Sequence, residues 1–230
     1  ERVRAFIGGE DSDFDELARD LFALQYDHVE PYRHLCESRG VTPQNGDTIP
    51  AIPTTAFQEF EITSLPPNDR PTVFHSSGTT GQSPSRHFHN ADSLALYELS
   101  LGGWFHHHVQ PAARTVALTP PPAQAPHSSL VHMLQCVQVK RTVFTGAVEG
   151  GEWIVQTGAT LDAMREGNGP ITLMGTAFSL VHLCDAIEPI VLPPGSRVME
   201  TGGYKGRSRE LSKAELHALI NAQLGEIAAL

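Results

Sequence analysis

The chain has 230 residues, room for one large domain or two small ones, and 40% of them are hydrophobic, which supplies a core and excludes wholesale disorder. Asp and Glu number 26 against 16 Lys and Arg, a net charge of −10 that is the opposite of a nucleic-acid-binding footprint, so nucleic acid is excluded as the main partner. Cys36, Cys136 and Cys184 stand far apart with no CxxC pair; neither a disulfide framework nor a zinc site is expected, and a reducing, cytoplasmic location is. No apolar run approaches the roughly 18 residues of a bilayer span, so no membrane insertion is expected.

Phe14, Leu17, Ala18, Leu21, Phe22 and Leu24 recur at helical spacing behind Asp13, which with Glu16 offers a capping box. Pro31 ends this helix or opens a second one that runs toward Gly40, a well-placed C-cap. Beyond it Pro43, Pro50, Pro53, Pro66 and Pro67 prohibit a long helix, and TIPAIPTTAFQEFEI is expected to be an extended connection with at most one strand. Residues 1–69 are therefore expected to form a helical and extended segment that packs on a main domain.

From residue 70 to 230 short β-branched runs (PTVFH, RTVALTP, TVFTG, EWIVQ, PITLMG, SRVME) alternate with helical patterns. The helical patterns are ADSLALYELSLGGWF, SSLVHMLQCVQ, TLDAMRE, AFSLVHLCDAIE and a last helix capped by Ser212 and Glu215. Alternation of this kind predicts an α/β domain, a mainly parallel sheet flanked by helices. The run PPPAQAP at 120–126 is a loop.

The segment FHSSGTTGQSPSRH, residues 74–87, falls between a β-branched run and a helix that Asn90 can cap, the position of a strand-to-helix loop. Gly78 and Gly81 permit backbone angles closed to other residues, and Ser76, Ser77, Thr79 and Thr80 supply hydroxyls, so the loop can wrap a phosphate, with Arg86 adding positive charge. Ser83 and Pro84 stand where a Walker A loop has Gly and Lys, which excludes an ordinary P-loop NTPase. A solvated Gly/Ser/Thr linker is the competing reading. Further on, METGGYKGR sets Gly202 and Gly203 just after a strand, at the edge where α/β proteins bind ligands, so adenine can lie against that backbone. A tight turn with exposed charges is the alternative there. GTAF, residues Gly175, Thr176, Ala177 and Phe178, starts a helix after a strand and is equally compatible with plain packing.

Twelve histidines include the run His106, His107 and His108, but consecutive helical residues point about 100° apart and cannot all ligate one ion; no metal site is assigned. No GxSxG elbow exists, so a serine hydrolase built on Ser76 or Ser77 with His75 has no motif behind it. The cysteines are expected to be small core residues.

SSGTTG resembles the phosphate-binding loop of adenylate-forming enzymes. TIPAIPTTAFQEF, MGTAF and METGGYKGRSREL, in that order, narrow the resemblance to the acyl-protein synthetases of bacterial bioluminescence, the long-chain-fatty-acid luciferin-component ligases, over nearly the whole chain. The resemblance implies the large N-terminal domain of an adenylate-forming enzyme. It implies ATP and Mg2+ as cofactors, activation of a fatty acid or other carboxylic acid as an acyl-adenylate, and acyl transfer to the thiol of an acceptor protein such as a fatty acid reductase. Carried over onto matching positions, Ser76 to Gly81 hold phosphates, with Arg86 in place of a lysine that many members carry after the last glycine. Gly202, Gly203 and Tyr204 border adenine, Lys205 contacts phosphate or ribose, and Gly175 to Phe178 form a wall of the acyl pocket. The family's Tyr-Gly-x-Thr-Glu segment, its catalytic lysine and its acylated cysteine do not occur before Leu230. The catalytic residues are thus expected beyond it, and the chain is expected to be a fragment, inactive alone. A non-catalytic nucleotide- or anion-binding α/β module is the alternative function.

Overall fold

Asp13 starts the principal N-terminal helix as its residue type predicts, its carboxylate accepting the Glu16 backbone N–H at 2.9 Å in a computed structural model of the protein. The structure describes every residue except 11–12, 46–47, 77–82, 138–140, 205, 207 and 230. The chain divides into two units, Glu1–Ser100 and Leu101–Leu230.

The first unit opens with α1 (Arg2–Gly8), α2 (Phe14–His28) and α3 (Glu30–Ser38). Pro31 lies in the first turn of α3, where its missing N–H costs nothing, and Gly40 follows the helix at φ 68°, its N–H returning to Glu37 O at 3.0 Å. Phe22, Val29, Tyr32 and Cys36 form the core of this unit. The Phe22 ring meets Tyr26 and Tyr32 edge to face at 6.2 and 6.1 Å, the favoured arrangement for aromatic pairs. Tyr32 Oη donates to Pro50 O at 2.8 Å and so pins the proline-rich segment onto the helices. That segment is not wholly extended: α4 (Ala56–Glu59) makes one helical turn directly after Pro53, whose carbonyl accepts the Ala56 N–H at 3.0 Å.

Two expectations for residues 70–90 are corrected. β1 (Thr72–His75) does not join a parallel sheet; it pairs antiparallel with β2 (Arg86–His89), with Phe74 opposite His87 and His75 opposite Arg86. The Gly/Ser/Thr segment therefore joins two strands of a hairpin rather than a strand and a helix. The helix comes one strand later: α5 (Ala91–Val109) is capped by Asn90, whose Oδ1 accepts the Ser93 N–H at 3.0 Å while Ser93 Oγ accepts the Asn90 N–H at 3.1 Å.

The second unit contains the predicted sheet. In chain order it holds β3 (Arg114–Ala117), α6 (Ser129–Cys136), β4 (Arg141–Phe144), β5 (Gly146–Glu149), β6 (Glu152–Val155), α7 (Thr157–Arg165), β7 (Ile171–Thr176), α8 (Ala177–Ala186), β8 (Arg197–Thr201), α9 (Lys213–Leu224) and β9 (Ala228–Ala229). The parallel sheet has the order β4-β3-β7-β8-β9. Strand alternation sends Val116, Ile171, Leu173 and Val198 into one cluster with Leu180, Leu183, Leu216, Ile220 and Leu224 from α8 and α9. Ala117 and Met174 go into another with Phe105 and Val109 of α5 and Leu134 of α6. Burial on both faces explains why these strands read as nearly continuous apolar runs.

EWIVQ is the other departure. β6 pairs antiparallel with β5 in its own two-stranded sheet, and Gly150 and Gly151 join them at φ 59° and 84°. A two-residue loop with both φ values positive is the hairpin connection that matches strand twist. Among the described residues no helix is long and apolar enough to cross a membrane.

Candidate functional site

The strand order places a topological switch in the second unit. From β3 the chain passes through α6 to β4 on one side, then crosses to β7 on the other. In open parallel sheets ligands bind outside the carboxyl ends of the strands at such a point. The residues there are Leu118 and Thr119 after β3, Gly175 and Thr176 closing β7, and, on the neighbouring strand, Thr201 closing β8 with Gly202 just past it.

Gly175 is required by close approach. A β-carbon on it would lie 2.7 Å from Ser179 Oγ and 3.0 Å from Leu118 Cδ1. Thr176 is buried and caps α8, accepting the Ser179 N–H at 3.4 Å and donating to Ser179 Oγ at 3.1 Å, while Ser179 Oγ donates to Thr176 O at 2.9 Å. Ala177 and Phe178 are each 2% exposed, and the Phe178 ring meets His182 edge to face at 5.9 Å. The motif's side chains are thus engaged in packing and capping.

Gly202 has φ 76°, and a β-carbon on it would stand 3.8 Å from Thr176 Cγ2, so GTAF and TGG come together at the sheet edge, where Thr176 pairs in register with Thr201. A β-carbon on Gly203 would meet nothing within 4 Å among the described residues. Tyr204 packs half-buried against the larger core cluster, and Lys205 lies outside the described residues. Sequence reasoning missed Thr119. It is fully buried, and its Oγ1 has no hydrogen-bond partner among the described residues, an unmet polar group in a position that normally demands one. Its only sequence signal is a Thr between a buried strand and a proline-rich loop.

Of the expected phosphate loop, Ser77, Gly78, Thr79, Thr80 and Gly81 lie outside the described residues. Ser76 is described and forms a clasp with Ser85. Its N–H donates to Ser85 O at 3.1 Å, and its Oγ accepts from Ser85 N at 3.1 Å and Ser85 Oγ at 2.7 Å. Ser85 is buried, and its Oγ lies 3.1 Å from His87 Nε2. The His87 ring stacks on Phe57 at 5.0 Å, and this desolvation lowers its pKa.

Arg86 lies beyond the clasp, with Nη1 3.2 Å from Glu61, which also accepts from Arg70 Nη1 at 2.5 Å. Glu61 is held below the usual carboxylate range, chiefly by the Arg70 hydrogen bond and then by the charges of both arginines. The two guanidinium carbons sit 4.9 and 5.7 Å from the centre of the Phe88 ring, a cation–π arrangement. Two arginines against one carboxylate leave a net positive charge here. Neither Glu61 nor Arg70 was singled out from the sequence, where they sit in a stretch without periodicity.

Cys36 and Cys184 are buried, and desolvation raises both thiols, Cys184 to about 12. Cys136 is exposed, its Sγ 3.3 Å from His132 Nε2.

No protein-family model matches the chain. Over 224 aligned positions, covering 90% of the chain and 57% of the relative, it is 25% identical to the long-chain-fatty-acid–luciferin-component ligase of Aliivibrio fischeri. A stretch of 68 residues, 29% of the chain and 59% of the relative, is 34% identical to the protein of the same name from Photorhabdus luminescens. The motif resemblance thus has counterparts in curated proteins, at low identity. The chain spans somewhat more than half the length of the curated relatives it matches.

Proposed function

We propose that the chain carries the nucleotide-binding part of an ATP-dependent fatty acid ligase that forms an acyl-adenylate and passes the acyl group to a protein thiol. The observation that carries this reading is the similarity to the Aliivibrio fischeri ligase across 90% of the chain. An open parallel-sheet edge at the switch point supports it, as does the backbone at Gly203, where a β-carbon would meet nothing within 4 Å among the described residues.

In this reaction a carboxylate oxygen attacks the α-phosphorus of ATP, a P–O bond to the β-phosphate breaks, and pyrophosphate leaves. A thiolate then attacks the acyl carbonyl, a thioester forms and AMP departs. The protein's task in the first step is to position and neutralise the triphosphate. Residues Ser76 to Gly81 take that role, Arg86 adds charge, Gly202 to Tyr204 border the adenine, and Lys205 contacts phosphate or ribose. Mg2+, when bound, would supply neutralisation of the phosphates and would be held by one or two carboxylates besides them. Glu200, in register with Gly175 on β8, is the strand carboxylate available at this edge among the described residues. Under this reading the protein works in the cytoplasm with an acyl-accepting protein as partner.

The test is product analysis with α-labelled ATP and tetradecanoate at the protein's natural length. Labelled AMP and acyl-adenylate that depend on the fatty acid are expected. Production of ADP contradicts the reading, and ATP binding without turnover favours the non-catalytic module.

A further inference from the structure

Ser76, Ser85 and His87 form a row of hydrogen bonds whose direction is fixed by the number of protons available. The Ser85 N–H and Oγ–H both donate to Ser76 Oγ, at 3.1 and 2.7 Å. A serine hydroxyl has one proton and two acceptor sites. Ser85 therefore has no proton left for the 3.1 Å contact between its Oγ and His87 Nε2, and the imidazole must be the donor there. His87 is thus held with its proton on Nε2, and stacking on Phe57 at 5.0 Å sets the plane of its ring.

The other end of the row is Ser76. Both acceptor sites of its Oγ are filled by Ser85, so this oxygen has no lone pair free for attack or for a further donor. Its own proton takes the remaining tetrahedral position, turned away from Ser85, and meets no acceptor among the described residues. Ser85 is buried whereas Ser76 is exposed, so the unmet donor stands at the surface, where a ligand can reach it. An exposed hydroxyl locked as a donor suits an acceptor-only oxyanion such as phosphate and does not suit a serine nucleophile. Each bond in the row polarises the next, which strengthens the last donor.

We propose that Ser85 and His87 are positioning residues that hold the Ser76 hydroxyl proton toward a phosphate oxygen of a polyphosphate. This rests on the ligase reading for the identity of that polyphosphate, ATP, and adds two residues that the reading does not require. The donor recognises the oxyanion, so inorganic pyrophosphate shares the site and adenosine does not use it.

Calorimetric titration of the protein at its natural length with ATP, inorganic pyrophosphate and adenosine tests this. Ser76→Ala should weaken ATP and pyrophosphate roughly ten- to a hundredfold. Ser85→Ala and His87→Phe should each weaken both about three- to tenfold, because Ser76 keeps its hydroxyl but loses its fixed direction. His87→Phe retains a ring on Phe57, whereas His87→Gln retains an N–H donor and should restore parental binding. Adenosine binding should be unchanged in every variant. A merely structural role would move adenosine together with ATP and would not distinguish Gln from Phe. Parental binding of pyrophosphate and ATP in Ser85→Ala and His87→Phe proteins of normal melting temperature overturns the proposal, as does an equal loss in His87→Gln and His87→Phe. The His87 variants leave buried side chains untouched and so decide the matter if Ser85→Ala does not fold.

Failure of the ligase reading shows differently. If the unmodified protein makes no adenylate yet the variants lose pyrophosphate as predicted, the positioning stands and the ligase reading falls. If adenylate forms with an unaltered KM for ATP in Ser85→Ala and His87→Phe, the ligase reading stands and the positioning falls.

Discussion

Gly175 and Ser179 approach so closely that a β-carbon on the glycine would lie 2.7 Å from the serine hydroxyl oxygen, with Leu118 Cδ1 at 3.0 Å on its other side. This contact lets β7 turn directly into α8 beside the switch point. Gly175→Ala should destabilise the protein by about 1–3 kcal/mol through overpacking. Because Ser179→Ala removes the nearest atom, the double variant should be more stable than the two single effects added together. Urea denaturation of all four proteins measures the coupling, and strict additivity would refute the contact.

Gly146 and Gly203 form a contrasting pair. A β-carbon on Gly146 would stand 2.5 Å from the carbonyl carbon of Thr119, backbone that cannot swing aside, whereas one on Gly203 meets nothing within 4 Å among the described residues. Gly146→Ala should cost more than about 2 kcal/mol, and Gly203→Ala should stay within about 0.5 kcal/mol. Under the ligase reading Gly203→Ala nevertheless lowers ATP affinity, because the added methyl occupies the ligand's side of the backbone. A melting experiment and an ATP titration separate the two effects.

The legibility of the fold varied with the signal each element carries. β3, β7 and β8 are legible as buried parallel strands because RTVA, ITLMG and RVME are short apolar runs between helical patterns, and α9 announces itself through Ser212 and Glu215. β2 is not legible: in Arg86, His87, Phe88 and His89 the alternation runs through cationic and aromatic residues whose burial comes from Phe57, Phe74 and Tyr97, which sequence spacing does not reveal. The β5–β6 hairpin does carry a signal, Gly150-Gly151 between two short runs, but the surrounding alternation of strands and helices pointed to a parallel sheet. In the candidate site the glycines are visible as motifs. Thr119, Ser85, Glu61 and Arg70 gain meaning only through tertiary contacts.

The capping box of α9 predicts a pH-dependent stability difference. Ser212 N–H donates to Glu215 Oε2 at 2.7 Å and Ser212 Oγ accepts the Glu215 N–H at 3.3 Å. Ser212→Ala should cost about 0.5–2 kcal/mol at neutral pH. Hydrogen bonds from Ser212, the side-chain one first, hold the Glu215 carboxyl below its unfolded value of about 4.5. The folded pKa is depressed, so this contribution is present above the unfolded value and is lost as pH falls through the folded one. The melting-temperature gap between parent and Glu215→Ala should therefore narrow from pH 7 to about pH 3; a constant gap would contradict the bond from the Ser212 N–H to the carboxylate.

The cysteines predict a simple labelling pattern. Cys36 and Cys184 are buried with raised thiol pKa values, and Cys136 is exposed beside His132. Ellman's reagent at pH 7.5 should modify one thiol per chain quickly, and Cys136→Ser should abolish that phase. The other two should react only in denaturant. Rapid modification of two or more thiols in the native protein would mean that the cores around Cys36 or Cys184 are open.

The central claim is ATP-dependent carboxylate activation, and exchange of labelled pyrophosphate into ATP tests it most directly because it reports reversal of the adenylation step alone. With tetradecanoate and Mg2+ the protein at its natural length should incorporate label into ATP, and omission of the fatty acid should abolish incorporation. Thr79→Ala with Thr80→Ala should suppress it, by roughly ten- to a hundredfold for each lost hydroxyl contact to phosphate. Absence of carboxylate-dependent exchange in the unmodified protein, or exchange at the parent rate in the double variant, would contradict the account.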